Sequence, residues 1–284
     1  MNLAARAPTA MRAAALVCAS LAICASGASA ASPERIRIGS GPSALDGLLY
    51  SPAGPGPHPA VIALHGCGGL TNARGELSAR HADWGERLSR QGFAVLFPDS
   101  FGSRGLGSQC RVRERDVRAS RERIEDAAAA LRYLAGRRDI DARKIALLGW
   151  SNGGSSVVYA VQPRHAVRGP DFAAAIAFYP GCTLIERRGT WRTRLPLLVL
   201  SGEADDWTPA APCVAMVRNA ARQGDRAEIV TYPGAYHNFD APGQPVRLQR
   251  NLAFTGDGGG SAHSGTNEPA RADAIARVSA FLKR

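Results

Sequence analysis

A serine, a histidine and a pair of adjacent aspartates lie in this 284-residue chain where they could turn a hydroxyl into a nucleophile. The serine is Ser151, within Gly149-Trp150-Ser151-Asn152-Gly153-Gly154. An apolar run, Lys144-Ile145-Ala146-Leu147-Leu148, precedes it, and a helix-compatible run from Ser155 to Ala160 follows. Gly-x-Ser-x-Gly is a weak signal in a chain with 31 glycines. Between a strand and a helix, however, it forms a sharp turn that lifts the serine out at the helix N-terminus, where developing negative charge is favoured. A side chain at Gly149 or Gly153 would collide across that turn.

A serine hydroxyl is a poor nucleophile at neutral pH, so it needs a base in hydrogen-bond reach and a carboxylate to orient that base. After the apolar run Leu195 to Leu200 comes Gly202-Glu203-Ala204-Asp205-Asp206-Trp207-Thr208-Pro209, a strand-end loop with two adjacent aspartates. After Ala227 to Tyr232 comes Pro233-Gly234-Ala235-Tyr236-His237-Asn238-Phe239, a strand-end loop with one histidine. Serine, acid and histidine thus follow the α/β-hydrolase order. His58, His81, His165 and His263 have no matching strand-end place, and no convincing metal-ligand spacing is present. The oxyanion of such a reaction needs donors. The loop His65-Gly66-Cys67-Gly68-Gly69 follows the apolar run Ala60 to Leu64, which nominates the Cys67 backbone N–H, with that of Asn152 as the second. No Gly-Lys-Ser/Thr follows that glycine-rich loop, so a phosphate cradle explains less.

The elements that must position these residues are buried-strand patterns at 60–64, 93–97, 145–148, 173–178, 195–200 and 227–232. Helix-length amphipathic stretches at 79–91, 116–136, 153–161, 211–223 and 270–282 alternate with them, and shorter extended segments at 35–38 and 47–51 come first. Short apolar strands alternating with helices predict an α/β fold, a mainly parallel sheet covered on both faces with its ligands at the strands' carboxyl ends. The run Gly256 to Ser261 reads as a mobile loop.

These segments resemble the dienelactone hydrolase family of α/β-hydrolases over nearly all of the chain after residue 30. The likeness is carried by Leu64 to Gly69, Trp84, Phe97-Pro98-Asp99-Ser100-Phe101-Gly102, the Ser151 turn, Gly202 to Pro209, and Tyr236-His237-Asn238-Phe239. The resemblance implies an acid four residues before a proline, which selects Asp205 and Pro209 and leaves Asp206 to cap the helix that begins nearby. It also implies hydrolysis of small-molecule esters or lactones with no cofactor. Founding members carry a cysteine where this chain has Ser151, so dienelactone itself is not the implied substrate. Arg104 is a candidate for a substrate carboxylate or an ordinary surface arginine. Trp150 and Trp207 either line an acyl site or pack. A polyester depolymerase or an acyl-peptidase would share this triad, a silent binding protein would share the fold, and a cation-dependent hydrolase is a weaker rival.

Residues 1–30 read as a signal peptide. Arg6 and Arg12 are the only charges, Ala13 to Ile23 is too short to span a bilayer, and Ala28-Ser29-Ala30 is a small-x-small cleavage site. Cys18 and Cys24 follow Val17 and Ile23, whereas lipobox cleavage needs a small residue there. Cleavage after Ala30 predicts one domain over 31–284, periplasmic or secreted and without stable membrane insertion. The remaining Cys67, Cys110, Cys182 and Cys213 permit disulfides in an oxidising compartment. Cys182 follows an expected strand and Cys213 opens an expected helix, both near the sheet's carboxyl end, so they are the candidate pair, with three connectivities possible. The formal charge of +11 is nearly all arginine. The densest run, Arg111 to Arg123, is interleaved with Glu114, Asp116 and Glu122 and lacks aromatics for base stacking, so it reads as a solvated helix face rather than a nucleic-acid site.

Overall fold

The computed structural model describes residues 1–4, 32–72 and 74–284. The expected leader and its cleavage point after Ala30 therefore lie outside the described residues. Six parallel strands form most of one sheet: β3 (His58–Leu64), β4 (Ala94–Pro98), β5 (Ile140–Trp150), β6 (Ala174–Phe178), β7 (Leu197–Gly202) and β8 (Ala227–Tyr232). At one edge β1 (Glu34–Ile38) and β2 (Leu45–Tyr50) add an antiparallel pair, giving the order β1-β2-β4-β3-β5-β6-β7-β8. The expectation of a mainly parallel α/β sheet holds.

Alternation along the central strands divides the core. Ile62, Leu64 and Leu147 face α2 (Glu122–Ala135), α3 (Asn152–Ala160) and α5 (Ala210–Arg222), and pack with Leu131, Val157 and Met216. Val61, Ala63 and Leu148 face α1 (Ala79–Arg90) and α6 (Glu268–Phe281), and pack with Trp84, Phe178 and Phe281. A sheet buried on both sides explains why its strands are continuous apolar runs. Each fully buried Leu, Ile or Phe contributes about 1.5–3 kcal/mol. A one-turn helix, α4 (Thr183–Glu186), follows β6, and the short pair β9 (Arg247–Gln249) and β10 (Ala262–Ser264) lies between β8 and α6.

Three local expectations need correction. Helix α2 starts at Glu122, not at Asp116, because the Glu122 carboxylate reaches back to the backbone N–H of Arg118 at 2.9 Å and to its guanidinium, which stabilises a turn ahead of the helix. The glycine-rich run 256–261 is pinned rather than loose: Gly256 N–H donates to Asp206 O at 2.9 Å and Leu252 N–H to Gly260 O at 2.8 Å. Asp206 does not cap α5. Its carboxylate instead pairs with His263 Nδ1 at 2.7 Å and accepts from the His263 N–H. Among the described residues no helix is long and apolar enough to cross a membrane.

Candidate active site

The turn between β5 and α3 holds Ser151 at φ 53°, ψ −114°, a left-handed conformation unusual for a residue with a side chain. Such a conformation costs on the order of 1–3 kcal/mol and persists where the surroundings impose it. They do so here: a Cβ on Gly149 would strike the Gly153 carbonyl, and one on Gly153 would strike the carbonyls of Leu64 and His65. The Ser151 N–H donates to Phe178 O at 2.9 Å, which ties the turn to β6.

His237 lies on the loop after β8 and is 1% exposed. Its Nε2 is 2.9 Å from Ser151 Oγ, and its Nδ1 is 2.8 Å from Asp205 Oδ2 on the loop after β7. Asp205 is fixed in turn: Oδ1 accepts from the N–H groups of Trp207 and Thr208 at 2.9 and 2.8 Å, and Oδ2 also accepts from Thr208 Oγ1 at 3.0 Å. With the carboxylate on Nδ1–H, the neutral imidazole presents an unprotonated Nε2 to the serine, the tautomer that general-base chemistry requires. The rings of Tyr179 and Trp207 flank the imidazole at 4.5 and 4.7 Å.

Opposite this relay, the loop after β3 approaches so closely that a Cβ on Gly66 would lie 3.6 Å from Ser151 Cβ. The backbone N–H groups of Cys67 and Asn152 have no acceptor among the described residues. His65 is fully buried, and its Nδ1–H donates to Gly66 O at 2.8 Å while Nε2 accepts from Ser100 N–H at 3.2 Å. Burial, helped by the nearby Arg123 charge, pushes its pKa well below the usual histidine value, so this imidazole is neutral. The sequence alone leaves the partner of Cys67 open among three connectivities. A disulfide joins Cys67 to Cys110, the Gln109 N–H donates to the Cys67 carbonyl at 2.7 Å, and Cys110 O accepts from Ala253 N–H at 2.9 Å. Cys182 and Cys213 form a second disulfide, from the start of α4 to α5.

Two candidates for substrate contact are placed elsewhere. Trp150 is fully buried in the sheet-facing core, and its indole N–H donates to Asp240 at 2.8 Å, so it packs and does not line an acyl site. Trp84 Nε1 and the Tyr179 hydroxyl donate to the same buried carboxylate. The guanidinium of Arg104 forks onto Asp126 at 2.7 and 3.1 Å and also donates to Ser100 O, which takes it away from any substrate carboxylate. Trp207 remains half-buried beside His237. A cavity of about 880 Å³ lies at the opposite, amino-terminal ends of the strands and contains none of these groups. Among the described residues, no cluster of three or more His, Cys, Asp or Glu side chains could hold a metal.

Residues 45–284 match the dienelactone hydrolase family. An uncharacterized protein of Mycobacterium tuberculosis is 31% identical over 212 residues, which is 68% of this chain and 68% of that protein. Among solved structures, one from Klebsiella pneumoniae assigned to the dienelactone hydrolases superposes with a TM-score of 0.66 at 19% identity, covering 89% of this chain and 98% of that one. Thermogutta terrifontis esterase 2 with bound propionate superposes with a TM-score of 0.61 at 20% identity, covering 88% and 93%. At those identities the two structures speak to the fold.

Proposed function

The chain belongs to the dienelactone hydrolase family, and we propose that it is an exported serine hydrolase that cleaves small carboxylic esters or lactones through an acyl-enzyme on Ser151. The observation that carries this reading is the unbroken chain of contacts from Ser151 Oγ through both nitrogens of His237 to Asp205, at 2.9 and 2.8 Å, on a strained turn. His237 Nε2 takes the hydroxyl proton as Oγ bonds to the carbonyl carbon, and the carbonyl π electrons move to oxygen. The Cys67 and Asn152 amides donate to that oxyanion. Collapse re-forms the carbonyl and breaks the bond to the leaving oxygen, which receives the proton from His237. Water, deprotonated by the same nitrogen, then attacks the acyl group and releases the carboxylic acid and Ser151. Asp205 keeps the imidazole in one tautomer and stabilises its charged form.

Export is supported by the leader-like composition of residues 1–30 and by the two disulfides, which persist in oxidising compartments. On this reading residues 31–284 form one catalytic domain. N-terminal sequencing of the protein from its host should begin at Ala31; an intact Met1 terminus on cytosolic protein would refute export. A fluorophosphonate probe tests the chemistry. Labelling of wild type that disappears in Ser151→Ala, together with turnover of p-nitrophenyl esters, is the expected result. A folded wild type that neither labels nor hydrolyses any ester in a series of increasing acyl length would overturn it.

A further inference from the structure

Of the arginines in the run Arg111 to Arg123, Arg123 alone is buried. It stands on the first turn of α2, and its Nη1 donates in two directions, to the His65 carbonyl oxygen at 2.7 Å and to the Asn152 side-chain oxygen at 2.8 Å. His65 begins the loop that carries the Cys67 amide, and Asn152 carries the other unpaired amide on its own backbone. One nitrogen therefore spans two segments that leave different strands, β3 and β5. Nothing else described ties the head of that loop to the Asn152 side chain.

The environment of this guanidinium is unusual. Its Nε and Nη2 have no hydrogen-bond partner among the described residues, and the nearby Asp126 carboxylate has both oxygens taken by Arg104. Its plane lies against the Phe101 ring, 5.2 Å from the centroid. Burial pushes its pKa down to about 10, which leaves it cationic at neutral pH. Burying a cation with so few partners is costly, and a site that must meet a developing anion gives it a use.

We propose that Arg123 is a positioning residue for the oxyanion step: it clamps the His65–Cys67 loop to the start of α3 so that the Cys67 and Asn152 amides converge on one point. This rests on the acyl-enzyme reading for the role of the two amides and adds the residue that holds them in register. The cation behind the clamp also favours negative charge on the oxygen those amides receive. A misplacement of about 1 Å at such a site costs roughly 10²-fold in rate.

The test uses the disulfide-intact protein, with competent sites counted by fluorophosphonate titration so that rates are per active serine. Arg123→Met should lower kcat about 10²-fold with KM within about threefold of wild type. Its affinity for an alkylboronic acid, which forms a tetrahedral adduct on the serine, should fall in parallel, while affinity for a non-covalent ester analogue stays. A merely structural role would move the melting temperature and the site count, not these ratios. Asn152→Ala removes the other end of the clamp but keeps the amide; it should lower kcat less, and the double variant should be no slower than Arg123→Met alone. Should Arg123→Met fail to fold, Asn152→Ala and Arg123→Lys carry the same comparison. Variants that match an active wild type in kcat and boronate affinity per site, or that change KM alone, overturn the clamp. A wild type that neither labels nor turns over ester overturns the reading beneath it, and the clamp with it.

Discussion

On the proposed acid and base side of the site, Asp205 takes its backbone donors from Trp207 and Thr208, two and three residues along the same loop. On the proposed oxyanion side, the loop of Cys67 is held by Gln109, by a disulfide to Cys110 and by Arg123. The first half is built from contiguous residues at strand ends, so its geometry follows from local chain direction. The second half has little local scaffold beyond the His65 and Gly69 bonds to the Gly66 carbonyl: its glycines let the backbone come close to the serine but do not hold it there. Its shape is imposed by a long connection, residues 105–121, that has no helix or strand of its own. A local site is specified by a motif; a remote one is specified by whatever the tertiary fold brings to it.

The sharpest way to break this comparison is at its centre. Ser151→Ala should abolish ester turnover, a loss of about 10⁴-fold or more, with the fold intact by circular dichroism. Residual turnover close to wild type would move the chemistry away from both halves. Next in size, Asp205→Asn should cost about 10⁴-fold in kcat by favouring the wrong tautomer of His237. Asp206→Asn, which touches His263 instead, should stay within about threefold. Equal losses in the two variants would mean that the acid side is as diffuse as the oxyanion side.

The contrast also explains what could be read from residues alone. The strand at 60–64 lies within β3, since burial on both faces leaves a continuous apolar run, and that at 227–232 coincides with β8, an edge strand with Glu228 exposed. Ser151, Asp205 and His237 could be placed because each follows such a strand directly. The pair β9 and β10 gave no warning, being three residues each with an exposed, charged member in Arg247. Arg123 was hidden for a different reason. Its neighbours Arg118 and Arg121 are solvent-exposed, so the run reads as a solvated face, whereas Arg123 sits on the buried side of the first turn of α2. Trp150 stays open between packing and an acyl site in the sequence because adjacency to the serine says nothing of side-chain direction in a strand. Successive strand residues point to opposite faces, and this one points to Asp240.

The two disulfides give the comparison an internal control. Cys67–Cys110 ties the proposed oxyanion loop, whereas Cys182–Cys213 ties the start of α4 to α5, and among the described residues neither of its cysteines hydrogen-bonds to Ser151, Asp205 or His237. Replacing Cys67 and Cys110 by serine should lower kcat roughly 10- to 100-fold, because the Cys67 amide is freed to wander. Replacing Cys182 and Cys213 by alanine should leave kcat near wild type while lowering stability by about 2–4 kcal/mol. Thermal melts and per-site kcat on both variants check this. If the two pairs behave alike, the first disulfide is only a staple.

The smallest effect is expected from pH. His65 and His81 are both fully buried with pKa values pushed well below the ordinary histidine value, chiefly by desolvation. A folded-state pKa below the unfolded one means that the unfolded chain binds the extra proton first. These two side chains therefore penalise unfolding fully only above about pH 6.5, and that contribution is lost as pH falls below this point toward their folded values. The melting temperature should drop between pH 7 and pH 5, and the drop should shrink in His81→Gln. His81 bonds to Ser78 and Leu70 O, away from Ser151, His237 and Asp205, whereas His65 holds the Gly66 carbonyl and the Ser100 N–H. Protonating His65 removes its Nε2 acceptor and loosens the remotely held half, while Asp205 still has its two neighbouring amides. As the pH is lowered, the hydrogen-exchange protection of Ser100 should accordingly fall before that of Trp207 and Thr208; the reverse order would show that the locally built half is the weaker of the two.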